Sequence, residues 1–222
     1  MRIGEISRPD RSIVDGFTGL GTSAIANALD DLRITGVMSG LGPVWRGARL
    51  LGPALTVKEV TGVRGAYPPS DFRIGAIIDA AAPGDVVAID NGGAFVSTWG
   101  GVASFAAKAR GLAGLVVDGG VRDADEIEEH AFPVFSRHVV PTTARNRLRD
   151  EAINVPVALG GVAVAPGDIV VGDPTGVVRI PRDSAADVLA RARRFAADDE
   201  RARREIERGL SFTEALRKFE KL

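Results

Sequence analysis

Residues 83–130 read PGDVVAIDNGGAFVSTWGGVASFAAKARGLAGLVVDGGVRDADEIEEH, and this stretch decides the fold. Pro83-Gly84-Asp85 is a turn into a strand, because Pro and Gly set the turn and the β-branched run Val86 to Asp90 follows. Trp99 to Arg110 is Ala-rich and predicts a helix, Leu115 to Val117 a buried strand, and Ala124 to His130 another helix. Strand, loop, helix, strand, loop, helix is α/β construction, in which ligands collect where loops leave the carboxyl ends of strands. Two loops meet that description, Asn91 to Thr98 and Asp118 to Arg122.

Outward from this stretch the same phrase returns at Pro166-Gly167-Asp168, before Ile169 to Val171, and reads as a second entry of the same turn-strand kind. Thr22 or Ser23 is placed to cap a helix through Ala24 to Leu32, and Asp71 another through Ala81. Beyond Pro181 the texture changes. Asp183 to Arg208 has no Gly or Pro and predicts one long helix, which Gly209 ends; Ser211 then caps a short helix over Phe212 to Phe219. Val188, Leu189, Ala192, Phe195, Ala196 and Ala202 form a narrow apolar stripe on the long helix. The chain therefore divides into an α/β core over 1–181 and a helical arm over 182–222, expected to pack on a neighbouring subunit.

Composition excludes several functions. The 222 residues carry 28 Lys or Arg against 29 Asp or Glu, a formal charge of −1, so no broad nucleic-acid or anionic-membrane surface is expected. With no Cys, disulfides, thiolate metal sites and cysteine nucleophiles are ruled out. The opening MRIGEISRPDR lacks the apolar core of a secretory signal, and no apolar run approaches the roughly 20 residues of a spanning helix; a cytoplasmic location is expected.

The candidate chemistry lies in the two loops. Arg122 and Asp123 follow Asp118-Gly119-Gly120 at a strand end, where a charged pair points into a cleft, although the two could equally pair with each other or leave Asp123 as a helix cap. Gly100 and Gly101 open the next helix. The free N–H groups of Gly101, Val102 and Ala103 suit a carboxylate or phosphate, and a tight turn is the plain alternative. His130 and His138 flank FPVFSR without a zinc spacing and read as structural or surface groups. Lys58, in TVKEV, would need an apolar pocket to act as a Schiff-base amine. Gly19-x-Gly21-Thr22-Ser23 lacks the Lys of a P-loop.

Taken together, residues 90–126, FPVFSR at 132–137 and VAVAPGDIVVGDPTGVVRIP at 162–181 resemble the RraA-like superfamily, and the Gly101-x20-Arg122-Asp123-x2-Glu126 spacing is the most specific part of the likeness. That superfamily includes the regulator of ribonuclease E activity and the class II 4-hydroxy-4-methyl-2-oxoglutarate aldolases. The resemblance implies an α/β/β/α sandwich of the swivelling β/β/α type with the long C-terminal arm added, assembled as a homo-oligomer, trimer or hexamer. It implies that Arg122 binds a pyruvyl group and stabilises its enolate, that Asp123 ligates Mg²⁺ or Mn²⁺, and that the backbone around Gly100, Gly101, Val102 and Ala103 holds a small 2-oxo acid by its carboxylate. It further implies that Glu200, from a neighbouring subunit's C-terminal helix, contacts metal-bound water.

The aldolases carry an acid where this chain has Gly101, and the Gly form with Glu126 is the pattern of the ribonuclease regulators. Those regulators are expected to lack the long C-terminal helix. The reading is therefore a metal-dependent carbon-carbon lyase, an aldolase, an oxaloacetate decarboxylase or both, with a non-catalytic regulator acting by protein–protein binding as its rival. Such a lyase suits a lone carboxylate with waters on an oxygen-loving cation and a guanidinium beside the developing charge.

Overall fold

The computed structural model describes residues 1–219, so the last three residues of the expected arm lie outside the described residues. In chain order the first half contains β1 (Arg2–Ile3), α1 (Arg11–Asp15), α2 (Thr22–Asp31), β2 (Val37–Met38), β3 (Gly42–Pro43), β4 (Leu50–Thr61), α3 (Ile74–Ala80), β5 (Val86–Asp90), β6 (Ser97–Trp99) and α4 (Gly101–Ala109). The second half contains β7 (Gly114–Val121), α5 (Ala124–Glu129), β8 (Val134–Val139), β9 (Leu148–Ile153), β10 (Val157–Leu159), β11 (Val162–Val164), β12 (Ile169–Asp173), β13 (Gly176–Ile180), α6 (Ala185–Glu207) and α7 (Phe212–Lys218).

The long strand β4 joins two sheets. Its first residues run antiparallel to β12 (Leu51 opposite Val171), while its later ones run parallel to β5 (Leu55 opposite Val87) and antiparallel to β9. Strand alternation then sorts side chains into three apolar layers. Val87, Ile89, Leu115 and Val117 point toward α3, α4 and α5; Val86, Ala88, Val116, Val170 and Val177 fill the space between the sheets; Ile169, Val171, Val178 and Ile180 meet α1, α2 and α6. Helix, sheet, sheet, helix is the expected α/β/β/α order.

The two Pro-Gly-Asp turns are one device used twice. Asp85 and Asp168 are both buried, each accepts the amide of the residue three before it (Ala82, Ala165), and each holds an arginine, Arg8 and Arg179. They feed β5 and β12, the two strands that flank β4.

Four local expectations need correction. Helix α2 starts at Thr22 itself, whose amide and hydroxyl are held by Asp173 rather than by a cap from within the helix. Asp71 ends a 3-10 turn, and α3 begins only at Ile74, because Pro68 and Pro69 favour a separate tight turn before it. The expected loop from Asp118 begins only after Val121, and Gly119-Gly120 is part of β7: a Cβ on Gly119 would lie 2.7 Å from Asn91, and one on Gly120 2.8 Å from the Val96 carbonyl, so these glycines admit a crossing loop. The stripe on α6, expected to face another subunit, is covered within the chain: Val188, Leu189, Ala192 and Phe195 pack on α1 and α2, and Ala202 on Ala215 and Phe219 of the final hairpin. Ser211 caps α7 as expected, in a capping box with Glu214. Among the described residues no helix is long and apolar enough to cross a membrane.

Candidate functional site

Strand β6 assembles the site. It pairs with the far end of β7, Ser97 opposite Gly120 and Trp99 opposite Val121, and the Arg122 amide donates to the Trp99 carbonyl at 2.9 Å. The residues leaving β6 and β7 are thereby side by side: Gly100 to Ala103 at the start of α4, and Arg122-Asp123 before α5. Trp99 fixes the helix start, since its buried Nε1 donates to Ser104 Oγ (2.9 Å) and Ser104 Oγ donates to the Gly100 carbonyl (3.1 Å).

Gly100 and Gly101 are required by the fit. A Cβ on Gly100 would stand 2.5 Å from Asp123 Oδ2, and one on Gly101 2.0 Å from Glu126 Oε2 and 2.6 Å from Glu126 Cβ. Gly100 also brings no side chain to cap α4, which leaves the first-turn amides of Val102 and Ala103 for a ligand. Asp123 stands at the cap position of α5, the plain alternative for it, but its side chain makes no capping bond. Its backbone is left-handed (φ 55°), an arrangement that costs a non-glycine residue about 1 kcal/mol or more, and its carboxylate turns back to Arg122 Nε (3.3 Å) and the Gly101 amide (3.4 Å).

These groups share one cleft of about 330 Å³. Gly100, Val102, Ala103, Arg122 and Asp123, all singled out in the sequence, line it together. Ser97 and Thr98, at the end of the first loop singled out in the sequence, form a polar edge; sequence reasoning missed Thr143 and the apolar wall of Phe72, Ile74 and Ile78. The wall follows directly on the 3-10 turn Pro69–Asp71.

The remaining candidates lie elsewhere. Lys58 pairs with Asp90 at 2.8 Å. His138 stacks on Phe95 with ring centroids 3.8 Å apart, and His130 lies against Phe105. Asp118 is tied to Arg137 (2.5 Å) and the Gly160 amide (2.7 Å); burial pushes its carboxyl up, but those bonds prevail and hold it below the ordinary range. Glu200 is on the arm, paired with Arg203 and Arg204, and is not part of the cleft of its own chain.

Behind the cleft is a buried acid pair. Glu59 faces Asp150 across the β4–β9 register, and Glu59 Oε1 accepts from the hydroxyl of Thr98 at 2.5 Å. Glu59 Oε2 and Asp150 Oδ1 have no other partner, and one shared proton satisfies both. Burial pushes the Glu59 carboxyl well above its ordinary range, the Asp150 charge adding to it, and burial raises Asp150 as well. A carboxyl raised in the fold stabilises it fully below its unfolded value, and that contribution is lost as pH climbs toward the folded value. Glu59→Gln keeps both hydrogen bonds without a titrating proton. Its stability is expected to match the parent's at acid pH, below the ordinary carboxylate range, and to exceed it increasingly as the pH rises above that range, by up to about 1.4 kcal/mol per pH unit. A difference independent of pH in thermal melts would overturn this account.

With the geometry in place, the chain can be set beside known proteins. Residues 22–179 match the RraA-like family (Aldolase/RraA), and the chain belongs to that family. A Halalkalibacterium halodurans protein with the provisional name 4-hydroxy-4-methyl-2-oxoglutarate aldolase is 34% identical over 202 residues, covering 90% of this chain and 91% of the relative. A crystal structure of an uncharacterized protein from Pseudomonas syringae pv. tomato superposes with a TM-score of 0.84 at 31% identity, covering 94% of this chain and 98% of that one. Streptomyces coelicolor RraAS2, described as an unusual member of the RNase ES inhibitor RraA family, gives a TM-score of 0.78 at 29% identity over 93% of this chain and all of its own. A match over that share extends into the arm, so the arm does not separate this chain from RraAS2, itself described as unusual within its family.

Proposed function

We propose that the protein is a divalent-metal-dependent lyase that cleaves a C–C bond of a small 2-oxo acid to release pyruvate, as a 4-hydroxy-4-methyl-2-oxoglutarate aldolase, an oxaloacetate decarboxylase or both. The observation that carries this reading is the convergence of uncapped α4 amides, the Arg122 guanidinium and the Asp123 carboxylate on one largely apolar cleft. The amides of Val102 and Ala103 hold the substrate carboxylate, which the helix N-terminus favours. Arg122 stabilises the negative charge that gathers on the 2-oxo oxygen as the C–C bond breaks. Phe72, Ile74 and Ile78 limit water at the forming enolate.

Among the described residues no three His, Asp or Glu side chains converge as a metal cage. The one carboxylate of Asp123 suits Mg²⁺ or Mn²⁺, which keep several waters and take the rest of their ligands from substrate oxygens. Held there, the cation supplies polarisation of the 2-oxo group. Val102 at the cleft, Val139 in the hollow on the other side of Arg122 and Asp123, and Phe105 on α4 are 80%, 56% and 60% exposed, which favours a homo-oligomer, trimer or hexamer, whose neighbouring copy covers them and brings its own Glu200 into reach.

The test is pyruvate release from oxaloacetate and from 4-hydroxy-4-methyl-2-oxoglutarate with Mg²⁺, with Mn²⁺ and with EDTA, in the parent protein and in Asp123→Ala. Release that needs the metal and the Asp123 carboxylate is expected. Full activity in EDTA or in Asp123→Ala would overturn the reading. The second reading, a non-catalytic regulator of ribonuclease E type, is favoured by Gly101 with Glu126 and by the likeness to RraAS2. Absence of any metal-dependent turnover together with capture of the nuclease would establish it.

A further inference from the structure

The buried acid pair joins two walls of the cleft. On one side Glu59 Oε1 accepts from the hydroxyl of Thr98, on the β6 edge. On the other, Asp150 Oδ2 accepts from the Arg73 amide, and Arg73 stands between Phe72 and Ile74, the apolar wall at the start of α3. The two oxygens left over, Glu59 Oε2 and Asp150 Oδ1, find a partner only when a proton is held between them. With that proton on Glu59, one hydrogen-bonded chain runs from Thr98 through Glu59 and Asp150 to the Arg73 amide.

Loss of the proton would set two carboxylates against each other away from water, since Glu59 and Asp150 are both buried. The surrounding charges give Glu59 no relief. Asp90 adds to the repulsion on Glu59, and the amine of Lys58 is engaged with Asp90 at 2.8 Å. Arg73 and the N-terminal amine favour a charge on Asp150, not on Glu59. Like charges in a poorly screened site repel strongly. They are relieved by moving apart, and each carboxylate is bonded to a different wall.

We infer that Glu59 and Asp150 are positioning residues that hold the α3 wall of the cleft against its β6 edge through one shared proton, so that the cleft is formed for its ligand while the proton is present and loosens when it leaves. Neither carboxyl touches the ligand. The clamp itself follows from the hydrogen-bonded chain; its effect on a 2-oxo acid rests on the proposed function. A loosened cleft lowers the fraction of protein competent to bind, so the apparent affinity falls while the rate at saturation is kept.

Two measurements on the parent and Glu59→Gln, whose amide keeps the chain at every pH, separate failure of the clamp from failure of the proposed reaction. The first needs no ligand. Hydrogen exchange is followed at the Ala76 and Ile77 amides of α3, which donate to the Arg73 carbonyl at 2.9 and 3.3 Å. Taking the ratio of parent to variant rates at each pH removes the intrinsic pH dependence of exchange. That ratio is expected to be near one at acid pH and to rise above the shared proton's transition, by up to about tenfold per pH unit. The second is pyruvate release from 4-hydroxy-4-methyl-2-oxoglutarate with Mg²⁺. The parent-to-variant ratio of KM is expected to rise over the same pH range while the ratio of kcat stays level. The exchange ratio decides the clamp even where that acid is not cleaved. An exchange ratio that does not change with pH would overturn the clamp, as would a KM ratio that does not change with pH in an active enzyme.

Discussion

Arg122→Ala is expected to lower kcat for pyruvate release by about 10²–10³-fold, the usual loss when one donor to a developing oxyanion is removed. The fold is expected to survive, because Arg122 contributes its backbone to the structure, through the amide bond to Trp99, while its side chain is about half exposed. A stability change within about 0.5 kcal/mol is the norm for such a surface truncation. Arg122→Lys separates charge from shape. A lysine restores the positive charge but not the planar fork, so an intermediate loss is expected if the guanidinium meets the 2-oxo oxygen with directed hydrogen bonds. Initial rates at saturating substrate, with melting curves of the same preparations, decide the matter. Activity within tenfold of the parent in Arg122→Ala would leave Arg122 as the ion-pair partner of Asp123 and nothing more.

Gly101→Asp, the change that would give this chain the acid carried by the aldolases it resembles, is expected to destabilise it by about 1–3 kcal/mol, the range for forcing atoms into a filled site. The new Cβ would lie 2.6 Å from the Glu126 Cβ, so swinging the Glu126 carboxylate toward solvent does not relieve the clash. The two carboxylates would also repel. Glu126→Gly removes both faults at a helix-propensity cost of about 1 kcal/mol, so the double variant is expected to be more stable than the two single losses predict, by about 1 kcal/mol or more. Urea unfolding of the four proteins measures that coupling, and strict additivity would contradict it. Gly101 and Glu126 are in this sense one choice rather than two, and the chain cannot adopt the aldolase acid by a single substitution without disturbing α5.

Much of this was legible in the sequence because it rests on local chemistry. Pro-Gly-Asp turns, the Ser211 cap and the β-branched runs of β5, β7 and β12 are written in adjacent residues. So was the pairing of Gly100 to Ala103 with Arg122-Asp123, since both follow strands that end at one sheet edge. What was not legible depends on partners distant in the chain. Gly119-Gly120 reads as a turn until the crossing of Asn91 and Val96 is known. Phe72, Ile74 and Thr143 look like ordinary loop and helix residues until β6 brings them to the cleft, and Glu59 gives no sign of its opposite number 91 positions later, Asp150.

The two-sheet strand β4 also governs how the chain can reach this structure during synthesis. Leu50 to Thr61 finds β5 within about one helix's length of chain, but its other partners, β9 and β12, are Leu148–Ile153 and Ile169–Asp173. Until those residues leave the ribosome, a twelve-residue, mostly apolar strand has open hydrogen-bonding edges, the kind of surface that joins to other chains. Closing loops of that length is slow, and neither sheet can be completed without β4. The two halves of the sandwich should therefore appear together late in folding, and fragments that end before residue 169 should aggregate rather than yield half a protein.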